Sequence, residues 1–434
     1  MRAPTLSAAG RKGRCLTAAL ILLGLLLCGC GAKSIKEALP AETPFPAPEG
    51  LRIAVSSDLH VNPDDTAKGP EATAVQYNLE LLDALLWDAR QQGAKFLLLT
   101  GDLVNGGKPH RHEALCERLQ KAEEAGLAVY VLPENHDLAP VTQTDFASRY
   151  AAFGYDEACS RDPVSLSYCV IRDGLMLLIM DTGGYSTTAI DLTAPPQHEE
   201  AFLSEETLGW AERMLEKARE DGLCVLCAGH YNLLPALSRT PGSGYYVENG
   251  ERFKQLLQEY HVPLYLSGHM HIRAVDRDAG LTELITEYPL SYPTSYSMLD
   301  VAAESIRYLP RRIDVDGWAA QAGSKDPILR DFARWQREGL RSYSRENVDY
   351  MSERNPLSRR EKAQAADFFF ETMSAFWDGS LCDRRAELEQ MPGYGPFFRC
   401  AEGYAYGWWL KDLIETAVPE LGGFMLAMVP QAAG

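Results

Sequence analysis

The chain has 434 residues, 46% of them hydrophobic and 24% charged, a balance that excludes global disorder and leaves room for one large domain with a smaller companion. Its formal charge is −18, from 60 Asp+Glu against 42 Lys+Arg. Nucleic-acid affinity comes from Lys and Arg neutralising phosphates, so no nucleic-acid partner is expected and a nuclease working on long DNA is disfavoured.

Arg2, Arg11, Lys12 and Arg14 lead into an apolar run from Leu16 to Leu27. A basic lead followed by a short apolar stretch reads as a signal peptide over residues 1–30. The alternative is an uncleaved membrane helix, but the run is short of the roughly 20 residues such a span needs. The segment ends Leu27-Cys28-Gly29-Cys30, which resembles a bacterial lipoprotein lipobox. Gly29 is small enough to precede the cleavage point and Leu27 is not, so Cys30 is the expected lipidation site and the lipid the expected membrane anchor. Residues 31–50, rich in Pro, Ala and Glu, suit a tether that holds an extracytoplasmic globule off the membrane.

From Leu51 short β-rich runs alternate with helical stretches. Leu51 to Ser57 reads as a buried strand, and Ala72 to Gln92 as a helix with Leu79, Leu82, Leu85, Leu86 and Ala89 on one face. Lys95 to Thr100 is a strand, His110 to Ala125 a helix and Leu127 to Leu132 a third strand. Such a β-α-β-α-β run folds into a largely parallel sheet with helices on its faces. Ser167 to Arg172 and Leu175 to Asp181 read as a hairpin turned at Asp173-Gly174, and Glu205 to Glu220 as a helix. Leu223 to Ala228 and Pro263 to Ser267 are short apolar strands, and Leu281 to Thr286, Ser297 to Val301 and Ser305 to Val315 form a meander. Beyond Val315 the pattern turns amphipathic, as in Ile328 to Tyr343 and Arg359 to Trp377, so residues 316–434 read as a helical C-terminal region. Cys116, Cys159, Cys169, Cys224, Cys227, Cys382 and Cys400 are odd in number and irregularly spaced, which predicts no disulfide framework. Cys224 and Cys227 share a strand and point to opposite faces, as buried strand residues do.

Polar residues gather where strands end. Asp58 and His60 follow the first strand, Gly101-Asp102 the second, and Asn135-His136-Asp137 the third. His230 follows the strand through Val225, and His269 and His271 the strand through Tyr265. In open α/β sheets ligands bind outside the carboxyl ends of strands. Five strands thus deliver carboxylate, amide and imidazole donors to one rim, enough for two divalent ions bridged by one carboxylate, for which Asp102 is the natural choice.

These segments resemble the successive motifs of the calcineurin-like metallophosphoesterase family. They stand as Asp58-Leu59-His60, Gly101-Asp102 through Gly106, Asn135-His136-Asp137, Gly229-His230 and Gly268-His269-Met270-His271, in the family order. The resemblance covers residues 51–315 and implies an α/β fold, a four-layered α/β/β/α sandwich. It implies Asp58, His60, Asp102 and His271 on one metal ion and Asp102, Asn135, His230 and His269 on the other, the pair being Mn, Fe or Zn. His136 corresponds to the family's acid for the leaving alkoxide, and Asp137 could hold its ring in the needed tautomer. Asn105 stands where many relatives carry Asp, and His110 and His112 open the following helix near the rim; His112 and Asn105 are the candidate substrate contacts. Glu134 stands where the family has Gly, which adds either a backbone cost or a negative charge beside the metals. The expected function is metal-dependent hydrolysis of a phosphate mono- or diester, on a small molecule or headgroup, outside the cytoplasm. The alternative is a surface binding module that keeps the fold and has lost turnover.

Overall fold

The computed structural model describes residues 50–65, 74–134, 136–138, 140–183, 201–234, 245–418 and 422–427. The expected signal peptide, Cys30, the tether up to residue 49 and Asn135 lie outside these residues.

β1 (Leu51–Ser56) is buried along its whole length. The helix expected from Ala72 instead begins at α1 (Asn78–Gln91), after a 3-10 turn over Val75–Tyr77. Leu82, Leu85, Leu86 and Ala89 are buried in it and Leu79 only partly. β2 (Phe96–Leu99), α2 (Pro109–Glu124) and β3 (Ala128–Val131) follow; Pro109 opens α2 at a position where a missing N–H costs nothing. β1, β2 and β3 pair in parallel, as the β-α-β-α-β pattern predicts.

After α3 (Gln143–Arg149) a second sheet forms from β4 (Ser160–Arg161), β5 (Tyr168–Arg172), β6 (Leu175–Ile179), then across α4 (Glu205–Glu220) to β7 (Cys224–Ala228), and across α5 (Gly250–Glu259) to β8 (Leu264–Ser267), β9 (Ala274–Asp278) and β10 (Leu281–Ile285). Its order is β4-β5-β6-β7-β8-β10-β9. Asp173 (φ 51°) and Gly174 (φ 80°) make the tight β5–β6 turn as expected. The strand period of two divides β6 between two cores. Leu175, Leu177 and Ile179 face the first sheet, and Met176, Leu178 and Met180 join Leu208, Leu215, Phe253 and Leu257 of α4 and α5. Cys224 and Cys227 fall on opposite sides of the same division.

β11 (Ser295–Ala302) and β12 (Ser305–Arg312) return to the first sheet beside β1. Two sheets face to face with helices outside give the expected sandwich. The C-terminal region comprises α6 (Val315–Gln321), α7 (Phe332–Arg354), α8 (Arg359–Trp377), α9 (Leu381–Glu389), α10 (Tyr394–Cys400) and α11 (Ala405–Thr416). Ser358 and Glu361 cap α8 reciprocally, and its buried side includes Phe368, Phe369 and Phe376. The region also ends in a strand that its amphipathic pattern does not predict: β13 (Phe424–Ala427) pairs with β12 and extends the first sheet to the order β13-β12-β11-β1-β2-β3.

Candidate metal centre

The strand ends bring their polar residues together by sharp backbone turns. Asp58 N–H donates to Gly101 O at 3.0 Å and His60 N–H to Asp102 O at 2.9 Å, so the loops after β1 and β2 are laced side by side. Asp58, His60, Asp102, His269 and His271 all have left-handed backbones, with φ of 53°, 43°, 50°, 68° and 56°. Each such residue costs on the order of 1–3 kcal/mol, which surrounding structure must offset, and such outliers gather at functional sites. The glycines beside them are required by space: a Cβ on Gly101 would stand 2.6 Å from His230 Nδ1, and one on Gly268 would run into Ser57 Oγ.

Six side chains converge in two overlapping groups. Asp58, His60, Asp102 and His271 form one and Asp102, His230 and His269 the other, each with donor atoms within 4.8 Å of one another. Asp102 Oδ2 lies 3.5 Å from His60 Nε2 and 3.4 Å from His230 Nε2, central to both. His271 Nε2 is 3.3 Å from Asp58 Oδ1 and 3.1 Å from His60 Nε2, and His269 Nδ1 is 3.3 Å from His230 Nε2. His230 Nδ1 donates to Thr100 O at 2.8 Å, which turns Nε2 toward Asp102.

The electrostatics favour positive charge at this spot. Burial alone would raise the carboxyls, yet the facing imidazoles of His230 and His60 hold Asp102 well below the ordinary range, and the nearby rings of His271 and His230 lower Asp58. Burial opposes a charged His230, but Asp102, Asp58 and Glu134 push it up to about 10; His60 goes the other way, down to about 4, because its burial prevails. A bound cation satisfies the same carboxylate field by displacing protons.

The sequence profile described as calcineurin-like phosphoesterase matches residues 51–273. The chain belongs to the calcineurin-like phosphoesterase family. A second profile, the C-terminal domain of cyclic nucleotide phosphodiesterase, matches residues 314–414 of this phosphoesterase. A Synechococcus protein bearing the name "probable cyclic nucleotide phosphodiesterase" is 27% identical over 242 residues, 54% of this chain and 78% of the relative. Among solved structures, a dimetal phosphatase from Danio rerio has 12% identity and a TM-score of 0.47, covering 61% of this chain and 96% of its own. The purple acid phosphatase PPD1 of yellow lupin also has 12% identity, with a TM-score of 0.41, covering 63% and 53%. The phosphoesterase family uses two divalent metal ions. The donors here fit that pair: Asp58 Oδ1 is buried with no hydrogen-bond partner, an orphan that a cation would satisfy, and Asp102 is shared by both donor groups.

The remaining predicted residues fall differently. His136 flanks the cleft beside the donors, its N–H donating to Asp102 Oδ1 at 3.2 Å and its ring meeting His60 edge-on at 4.8 Å. Asp137, expected to orient the His136 ring, is a loop brace instead. Its buried carboxyl accepts from Val104 N–H and Glu134 N–H, both at 2.9 Å, and so ties the loops after β2 and β3 together. His112 is not a substrate contact. It is fully buried, with Nδ1 on Tyr150 Oη at 2.8 Å and Nε2 on Asp137 O at 3.0 Å, and burial lowers it to about 4. His110 pairs with Asp64 on the surface, while Asn105 is exposed and lines the cleft. Glu134 is outside the left-handed region, and its side chain turns inward. Thr182 Oγ1 donates to it at 2.7 Å and burial raises the carboxyl well above its usual range. The backbone cost therefore does not apply, and the carboxyl is buried rather than lining the cleft.

Two features escaped the sequence reading. Tyr288 stacks on His271 with centroids 4.7 Å apart and lines the cleft with Val75 and Leu290. Arg273, two residues past His271, is buried; it pairs with Glu287 and donates to Trp377 O at 2.8 Å at the end of α8. A lone Tyr or Arg between strands carries no periodic signal; only the Gly-His-x-His motif upstream marks the neighbourhood.

Proposed function

We propose that this phosphoesterase hydrolyses a phosphate diester of the cyclic nucleotide class, holding its two ions on Asp58, His60, Asp102, Asn135, His230, His269 and His271. The convergence of five of these donors around a sixth, Asp102, carries the reading. The preference for a cyclic diester is supported by the second profile over residues 314–414 and by the name of the Synechococcus relative.

Two bound divalent ions supply Lewis-acid stabilisation of the phosphoryl oxygens and lower the pKa of the attacking water. The side chains do the rest. Thr100 O keeps the His230 ring in one tautomer, and the Asp102 carboxylate holds the His136 main chain at the rim. His136 faces the cleft, where it can donate a proton to the departing alkoxide. The aromatic and aliphatic lining of Tyr288, Val75 and Leu290, together with Asn105, receives the part of the substrate that is not phosphate.

The location follows from the leader: signal peptide 1–30, lipidation at Cys30 and attachment to a membrane from outside the cytoplasm. Among the described residues no helix is long and apolar enough to cross a membrane. Cys30→Ser should release the protein from membranes with soluble activity intact; retention as an integral membrane protein would assign the anchor to Leu16–Leu27.

Turnover by the purified chain with added Mn²⁺ tests the substrate class, using 3′,5′- and 2′,3′-cyclic nucleotides, bis-p-nitrophenyl phosphate and p-nitrophenyl phosphate. The cyclic and bis esters are expected to react faster than the monoester. Turnover of the monoester alone would overturn the diester reading and leave the phosphoesterase chemistry standing.

A further inference from the structure

The irregular cysteine spacing predicts no disulfide framework, but the edge of the second sheet brings two of these residues together. Cys159 lies just before β4 and Cys169 within β5, and the strands pair antiparallel with Ser160 opposite Cys169 and Arg161 opposite Tyr168. Cys159 N–H donates to Cys169 O at 2.9 Å. This diagonal placement sets the two sulfurs 3.0 Å apart. That is about 1 Å more than the roughly 2.05 Å of a disulfide bond, and closer than two unbonded sulfurs comfortably approach. We propose that Cys159 and Cys169 are a modification site, forming a disulfide when the chain meets an oxidised thiol compound.

The approach is held by the connecting turn. Asp162 accepts from Ser165 Oγ and from Thr207 Oγ1 of α4, each at 2.6 Å, Leu166 N–H donates to Asp181 at 2.9 Å, and Ser167 Oγ accepts from Asp181 N–H at 2.9 Å. Register slip, which would separate the sulfurs, would break this set. The two thiols differ in access. Cys169 is fully buried with its sulfur 3.5 Å from Met214 Sδ, whereas Cys159 is exposed. Burial, with the neighbouring Cys159 sulfur, pushes the Cys169 thiol up, so the exposed Cys159 is the sulfur an incoming disulfide meets first.

The chemistry is ordinary thiol–disulfide exchange. Cys159 thiolate attacks a small-molecule disulfide such as glutathione disulfide, forming a mixed disulfide and releasing one thiol. Cys169 thiolate then attacks Cys159 Sγ, closing the protein disulfide and releasing the second thiol. The two cysteines lose two electrons to the glutathione disulfide, and their two protons end on the departing glutathione thiols. The bond secures a weak edge. β4 has only two residues, and the segment before it is kinked at Phe153 and Gly154, the latter with φ 115°. Tyr155 and Tyr168 pack against each other at 4.5 Å across that segment, and Tyr168 Oη reaches Val131 O of β3 at 2.7 Å. Such bonds persist in oxidising compartments, where the leader directs the chain in the reading above, but the proposal stands on the hairpin and does not depend on the phosphoesterase assignment.

Trypsin separates the pair cleanly, with Cys159 in the peptide from Tyr150 to Arg161 and Cys169 in the peptide from Asp162 to Arg172. The full chain is incubated with excess glutathione disulfide, quenched in acid, unfolded, alkylated and digested without reductant. The expected product is the two peptides joined, lighter by two hydrogens than their sum and separating on reduction. Recovery of both peptides alkylated would overturn the proposal, as would a lasting glutathione adduct on Cys159 with Cys169 free. In Cys159→Ser, Cys169 should be alkylated quantitatively; a blocked Cys169 there would mean that another partner holds it.

Discussion

His136 separates chemistry from metal binding at the scale of one residue. Its ring borders the cleft, but only its main-chain N–H touches a metal-site carboxylate. His136→Ala should therefore keep the metal content and fold, and slow turnover of an ester with a poor leaving group roughly 100-fold or more. Wild-type turnover by that variant would remove His136 from the mechanism. Glu134 gives a second case. Its carboxyl lies behind His230 on Thr182, away from the substrate, so Glu134→Gly should leave KM for a phosphate ester unchanged on steady-state assay; a marked fall in KM would show that its charge reaches the cleft. The donors were legible in the sequence because strand ends and residue types coincide, and six of them do converge. The roles of Asp137 and His112 were not, because motif position places a residue near a site without saying which way its side chain turns. Burial and main-chain partners decide that, and both residues spend their polar atoms inside the protein.

Among elements, the connection from β8 to β10 matters most, since it carries His269 and His271 and is anchored by a buried ion pair. Arg273 bonds Glu287 and Ser295 Oγ, and reaches Trp377 O. Removing one member leaves the other charge buried without its counter-ion. Arg273→Ala should thus cost about 3–5 kcal/mol of stability, read by urea unfolding; a loss close to zero would mean that the pair does not anchor the loop. The long elements were readable because hydrophobic period and length agree: β1, β2, β3, α2, α4 and the β5–β6 hairpin lie within a few residues of expectation. β4, β9 and β13 were missed. They are short strands at or next to the two sheet edges, and pairing with a distant neighbour, as β13 does with β12, determines them more than local pattern.

For the whole molecule, the C-terminal region is built into the phosphoesterase fold. β13 completes the first sheet, Phe332 and Trp335 of α7 pack on Tyr77, and Trp377 O receives Arg273. A chain ending at Ile313 should expose these apolar faces and aggregate, as followed by light scattering; a monodisperse fragment with the full chain's melting temperature would show the region to be an independent appendage. Sequence periodicity revealed its helices, but the hydrogen bonds and ring contacts that join it to the rest depend on residues far apart in the chain. Asp102, shared by the two donor groups, is the side chain on which two metal ions would meet in the proposed hydrolytic centre. The most direct test is turnover of bis-p-nitrophenyl phosphate after chelation and graded return of Mn²⁺, with bound metal counted in parallel, for wild type and Asp102→Asn. Activity should vanish on chelation and return in wild type as the second ion binds, while Asp102→Asn stays inactive and takes up less metal; turnover that survives chelation, or an Asp102→Asn chain as active as wild type, would show that no dimetal centre on Asp102 does the hydrolysis.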